Sequence, residues 1–225
     1  MSTSAATPPP RPIGATTEDG DPLALALFGL TAVSGLIDAV SYLGLSHVFA
    51  ANMTGNVVVI GFALAGAPGF SVLGSLTSLA AFLLGAALAG RLTLHRLRPA
   101  LAAETLLHLA AAAVAFAFGT GGARQYGVIA LLAVAMGLRN ATVRSLGVPD
   151  LTTTVLTMTL TGLASETRLA GRHSPHQRRR VLAALTMTAG TVPGALLVLH
   201  HHLPWALVLA AVLTAATAVL YRDRA

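Results

Sequence analysis

The sequence predicts an all-α fold, a polytopic transmembrane helical bundle with an internal two-fold repeat. Three observations predict it. Of 225 residues, 55% are hydrophobic and only 10% are charged, against about a quarter charged in soluble domains, and the mean hydropathy is +0.75. The apolar residues fall in runs near the roughly 20 residues that a helical span requires. A pattern also recurs: Gly35-Leu36-Ile37-Asp38-Ala39 leads into Asn52-Met53-Thr54-Gly55-Asn56, much as Gly137-Leu138-Arg139-Asn140-Ala141 leads into Val155-Leu156-Thr157-Met158-Thr159.

Along the chain, residues 1–22 are rich in Pro, Thr and Ser and lack an apolar pattern, so they predict a disordered tail. The tail has no basic n-region, and the apolar run after it exceeds the roughly 7–15 residues of a signal-peptide core. That run is therefore expected to stay in the membrane. A single transmembrane domain is predicted over 23–221, with repeat halves at about 23–119 and 126–221. Apolar segments lie at 23–45, 48–66, 71–91, 100–119, 126–146, 150–165, 181–200 and 203–221. The second and sixth are short, and the sixth carries Thr152, Thr153, Thr154, Thr157, Thr159 and Thr161.

The basic loops decide how many segments cross. Arg91, Arg96 and Arg98 follow the third segment, and Arg168, Arg172, Arg178, Arg179 and Arg180 follow the sixth within a basic loop at 166–180. Both are expected on the cytoplasmic side, because Arg-rich loops stay inside. If all eight segments crossed, the two loops would lie on opposite faces. Six full spans plus two short broken or re-entrant segments put both loops and both termini inside, and that arrangement is favoured over eight spans. It gives three crossings per half and hence inverted halves, an arrangement associated with alternating access.

Composition excludes several functions. There are no cysteines, which removes disulfides, thiolate catalysis and Cys-based metal sites. The net charge of +6 reads as membrane topology, since almost no aromatics interleave with the Arg clusters as they would at a nucleic-acid surface. No HExxH, P-loop, GxSxG or dinucleotide fingerprint appears, so ATP hydrolysis and the common hydrolases lack support. No cofactor and no metal site is expected.

Polar residues inside lipid are costly and mark sites by default. Asp38 sits in the middle of the first segment, where a central charge costs roughly 2.5–3.5 kcal/mol on translocon scales. Its repeat counterpart is Asn140, and Arg139 is its expected ion-pair partner. The bland reading is a structural interhelical hydrogen bond. Asn52, Thr54 and Asn56 surround Gly55 at the start of the short second segment, where a broken helix would present a positive dipole end to a polar or anionic solute. Simple helix capping is the alternative. Thr157 and Thr159 occupy the related place in the second half.

Glu104 and His108, four apart, share a helix face and are compatible with a proton relay; an interfacial Glu beside a satisfied core His is the favoured reading. His200-His201-His202 read as an interfacial turn, and His173 and His176 as solvated. Gly85 and Gly90, like Gly190 and Gly194, allow close helix approach in lipid.

Through Ser34 to Tyr42, Ala51-Asn52-Met53-Thr54-Gly55-Asn56 and Gly147-Val148-Pro149-Asp150-Leu151-Thr152-Thr153, the chain resembles the YoaK family of bacterial membrane proteins over roughly residues 22–221. The resemblance implies a multi-pass protein of the bacterial inner membrane and carries no activity with it. The chain departs from the family pattern at Arg139, where Gln usually precedes the Asn, and at Met158, where Gly is usual.

The functional expectation is a small secondary transporter or permease rather than an enzyme. Its site would lie between the halves, lined by Asp38, Asn52, Thr54, Asn56, Arg139, Asn140, Thr157 and Thr159. Its partners would be the bilayer and a small polar or ionic substrate, with homo-oligomerisation compatible with so short a chain. The alternative is a non-transporting membrane scaffold or assembly protein.

Overall fold

The structure is a computed structural model, and it describes residues 22–92, 96–146, 161 and 177–221. Residues 1–21 of the tail predicted over 1–22, most of the basic loop at 166–180 and nearly all of the sixth segment, with Thr157 and Thr159, lie outside the described residues, while Pro22 opens the first helix. The elements are α1 (Pro22–Gly44), α2 (Met53–Leu64), α3 (Val72–Arg91), α4 (Leu97–Phe118), α5 (Arg124–Ser145), α6 (Gln177–Leu199) and α7 (Leu203–Leu220). Six are long and apolar enough to cross a bilayer, with the candidate span within α6 covering Val181–Leu199.

α2 is the exception, with 12 residues. At 1.5 Å per residue it reaches about 18 Å, short of the roughly 30 Å hydrocarbon core. The second segment was expected to run over 48–66, but its first residues form a loop. Ser46 and His47 take positive φ there, and Asn52 caps the helix by accepting from the Gly55 N–H at 3.2 Å.

Two helices begin earlier than the apolar pattern predicts. α4 starts at Leu97 because Pro99 falls in the first turn, where its missing N–H has no intrahelical partner to lose. α6 starts at Gln177, inside the expected loop, since Gln and Arg are good helix formers and carry the helix past the last apolar residue.

The helix directions follow from what meets at each end. Leu27 and Leu30 of α1, Leu97 and Leu101 of α4, Val143 of α5, Ala183 of α6 and Tyr221 beyond α7 form one apolar cluster. The starts of α1, α4 and α6 and the ends of α5 and α7 therefore share one face. Arg98 Nε donates to the Ala218 carbonyl at 3.2 Å, tying α4 to the end of α7 there. At the opposite face Ser46 Oγ donates to Gln125 Oε1 at 2.7 Å, which sets the end of α1 beside the start of α5. α1 and α5 are thus antiparallel, and the chain ends α5 and begins α6 on the same face. Arg91, Arg96, Arg98, Arg144, Arg178 and Arg179 all belong to the first face, which fits six crossings and not eight.

Close backbone packing repeats in register. α1 lies along α6 and α3 along α5, while α4 meets α7 across the middle. A methyl group at Gly190 would fall on the Ala32 carbonyl, and one at Gly35 on the Met187 carbonyl. In the other pair, Gly85 meets the Val134 carbonyl and Gly137 the Phe82 carbonyl. The spacing from Gly35 to Gly137 equals that from Ala32 to Val134, and the spacing from Gly85 to Gly190 equals that from Phe82 to Met187. The two helix pairs are therefore the same packing unit used twice in opposite orientations. In lipid, where apolar side chains gain nothing by leaving solvent, such backbone approach is a main source of association.

Gly90 does not belong to this face. Nothing lies within 4 Å of a methyl placed on it, and by the same spacing the counterpart of Gly194 is Ala89, which is buried against Leu138.

Candidate site between the repeat halves

α1 and α5 touch only sparsely, and Arg139 reaches from one to the other. Arg139, 2% exposed, extends from α5 so that Nη1 donates to the Leu30 carbonyl at 3.1 Å and to Glu104 Oε1 at 3.1 Å. Its Nη2 donates to Ser34 Oγ and lies 3.0 Å from Met136 Sδ. The guanidinium thus joins three helices, α1, α4 and α5.

The Arg139–Glu104 ion pair replaces the expected Asp38–Arg139 pair. The reason is angular. In the repeat, Arg139 corresponds to Ile37 and Asn140 to Asp38, so Arg139 points about 100° around the helix from the Asp38 position. It faces the seam that α4 closes. Glu104, expected near an interface, is instead fully buried, one turn inward from Leu101 in the apolar end cluster.

His108 follows one turn later, also fully buried, with Nε2 4.0 Å from Glu104 Oε1. Neither ring nitrogen has a hydrogen-bond partner among the described residues, nor does Glu104 Oε2 or Asn140 Nδ2. The described residues thus do not supply the partners that a satisfied core histidine would have. On its far side lies the second apolar cluster, with Leu36, Ala111, Ala112, Leu132 and Met136. Ser34, Glu104, His108 and Arg139 form a polar layer between two hydrophobic ones.

Asp38 lies one turn beyond Ser34 on α1 and is held differently. Its Oδ1 accepts from the Ala51 N–H at 2.8 Å, and the amides of Ala50 and Asn52 also approach the carboxylate. The same turn supplies Ser41 Oγ, which accepts from the Ala50 N–H at 3.2 Å. Asp38 thereby anchors the loop that starts α2, the kind of bond by which carboxylates hold helix N-termini. Arg139 still acts on it through space.

Asn56 completes the anchor. It is fully buried, accepts from the Phe49 N–H at 2.8 Å, and donates to the Phe49 carbonyl at 2.6 Å and to Ser78 Oγ at 3.2 Å. Ser78 in turn donates to that carbonyl at 2.7 Å, which links α2 to α3. Asn52 and Thr54 are exposed on the first turn of α2.

Of the expected site, the structure brings Arg139 to a buried polar centre, with Asn140 on the adjoining helix face. It gives Asp38 and Asn56 to the α1–α2 loop and places Asn52 and Thr54 at the surface of the bundle. Ser34, Glu104 and His108 are the additions. The signal for the last two was present in their i, i+4 spacing inside an apolar run. His200, His201 and His202 form the exposed α6–α7 turn.

These features define a class: a small polytopic helical membrane protein with inverted halves and an ion pair buried in the seam between them. The comparisons give the family. The chain matches the family model described as "Protein of unknown function (DUF1275)" over residues 26–220, and it belongs to that family. It is 34% identical over 158 residues to "UPF0700 transmembrane protein YoaK" of Bacillus subtilis (strain 168), covering 66% of this chain and 67% of that protein. No solved structure matches it.

Proposed function

We propose that the protein is a secondary transporter or permease of the bacterial inner membrane, not an enzyme, and that it carries a small polar or ionic solute. The solute would bind in the seam between the inverted halves, at the layer formed by Ser34, Glu104, His108 and Arg139, with Asp38 and Asn140 beside it. The N- and C-termini and the Arg-rich face are assigned to the cytoplasm by the positive-inside rule.

The observation that carries this reading is the pairing of a buried, charged centre with buried polar atoms that lack partners among the described residues. A purely structural pair would be expected to have its remaining valences met, since an unsatisfied buried polar atom costs about 1–3 kcal/mol. Retaining several at membrane depth is reasonable where a solute or water completes them. Inverted repeats with a site at their interface are the recurrent plan of secondary transporters.

The scaffold reading rests on Asp38 and Asn56, whose bonds hold a loop rather than face an open site. One experiment separates the two readings. Thermal unfolding of the detergent-purified protein is followed against small anions, cations, sugars and metabolites, because a ligand bound only by the folded state raises the apparent Tm. A ligand shift that Arg139→Gln removes, with Arg139-dependent uptake of the same ligand into liposomes, supports transport. No shift with any ligand, and a mutant that simply melts earlier, supports the scaffold.

A further inference from the structure

We propose that the seam is a proton-coupled anion site: a small carboxylate binds Arg139 in place of Glu104, and Glu104 takes up one proton as it is displaced. This rests on the transport reading for its purpose but not for its chemistry.

The argument starts from charge. As the structure stands, the Arg139 guanidinium and the Glu104 carboxylate neutralise each other, both buried. Adding an anion alone would leave a net negative charge in the seam, which the low-dielectric interior penalises heavily. Adding the anion together with a proton on Glu104 leaves the seam neutral. Both states then hold Arg139 paired with one carboxylate, first that of Glu104 and then that of the ligand.

The atoms are placed for this exchange. Glu104 Oε2 has no hydrogen-bond partner among the described residues, so an O–H bond can form there without breaking a hydrogen bond to any of them. His108 is on the next turn of the same helix, 4.0 Å from the carboxylate, and neither ring nitrogen has a hydrogen-bond partner among the described residues. A proton taken from water onto His108 passes to Glu104 Oε2 after a side-chain rotation, and His108 returns to neutral. Arg139 Nη1 then loses its anionic acceptor while Nη2 stays on Ser34 Oγ. A carboxylate matches the guanidinium fork with two parallel bonds, and release of the anion returns the proton by the same route.

Glu104 meets charged and titratable groups from several helices. From α5 it faces Arg139, and from its own helix His108. α1 contributes Ser34 and, through Arg139, Asp38. α7, packed along α4, carries no ionisable residue between Leu203 and Leu220. Glu104 is therefore the group whose protonation decides whether Arg139 is free.

The test is binding of formate, acetate and lactate, with sodium, potassium and choline chloride as controls, to the full-length protein in detergent from acidic to alkaline pH. If one proton enters with one anion, Kd rises about tenfold per pH unit above the point where Glu104 ionises, through proton linkage. Glu104→Gln is expected to bind the same carboxylate with Kd independent of pH, and Arg139→Gln not to bind it. His108→Asn is expected to slow proton uptake on mixing with acetate.

Three results overturn the proposal: no carboxylate binds the wild type; Kd does not change with pH; or the pH dependence survives in Glu104→Gln. Should Glu104→Gln fail to fold, the wild-type titration decides alone, read together with the infrared band of a protonated carboxyl that must appear when acetate binds. If pH-dependent binding holds but liposomes show no Arg139-dependent acetate uptake, the transport reading falls and the site assignment stands. If uptake occurs with neither uptake nor binding sensitive to pH, the assignment falls.

Discussion

Arg139 and Glu104 are each stabilised by the other in a place where either alone would be an uncompensated charge. Removing one partner of a buried pair costs about 3–5 kcal/mol, whereas removing both is often near neutral. Arg139→Gln and Glu104→Gln should each lower the unfolding midpoint strongly, and the double variant should be more stable than the sum of the two predicts. A double-mutant cycle in denaturant-induced unfolding measures this; additivity within about 0.5 kcal/mol would mean that the two do not interact. Asn56 poses a different case, because its amide meets both backbone groups of Phe49. Asn56→Ala should cost about 2–3 kcal/mol by leaving buried backbone groups unmet, while Thr54→Ala, at an exposed position, should change stability by less than about 0.5 kcal/mol. Thermal unfolding of the two variants side by side checks this. The polar residues themselves were legible in the sequence, since each stands out in apolar surroundings. Their partners were not: a repeat aligns residues along the chain, but the pairing of Arg139 depends on which third helix closes the seam, and only packing supplies that.

At the scale of elements, the seven helices of the described residues depend on caps, lengths and glycines. Six spans and a short second helix could be read from run lengths and Arg placement. The loop before α2 could not, because it is an apolar stretch held out of helical form by side chains, Asp38 and Asn56, from elsewhere in the sequence. The glycine pattern was partly legible, and Gly90 was misplaced because adjacent residues on a helix face directions about 100° apart. Gly190→Ala and Gly85→Ala should each be strongly destabilising, since a methyl would meet the carbonyl of a neighbouring backbone that has no rotamer to change. Gly90→Ala should be neutral or slightly stabilising, given the higher helix propensity of Ala. Unfolding midpoints of these three variants provide the comparison, and equal losses at all three sites would contradict the packing described.

For the whole molecule, inversion makes a topological prediction. The native chain has no cysteine, so single cysteines report on sidedness without background. Leu92→Cys lies beside the Arg-rich face, and Gly121→Cys and His200→Cys lie in the turns at the other. In intact cells a membrane-impermeant maleimide should label the last two, while Leu92→Cys should react only after the membrane is opened. Labelling of Leu92 and Gly121 from the same side would contradict an odd number of crossings between them. The fold class, the inverted halves and the six crossings were all within reach of sequence reasoning. The asymmetry was harder to see: the two halves share their backbone packing, yet Glu104 and His108 on α4 have no ionisable counterpart on α7.

Arg139 reaches across the sparse contact between α1 and α5 to hold Leu30 and Ser34 of α1 and Glu104 of α4 at once. A shorter residue would leave a slot lined by Ser34, Glu104 and His108, polar enough to wet. An arginine, the most hydrophilic of the common side chains, thus fills the middle of a polar layer that apolar clusters bound on both sides. Shortening it would leave a pocket of water about one helical turn deep, closed off on either side by those clusters, and not a channel.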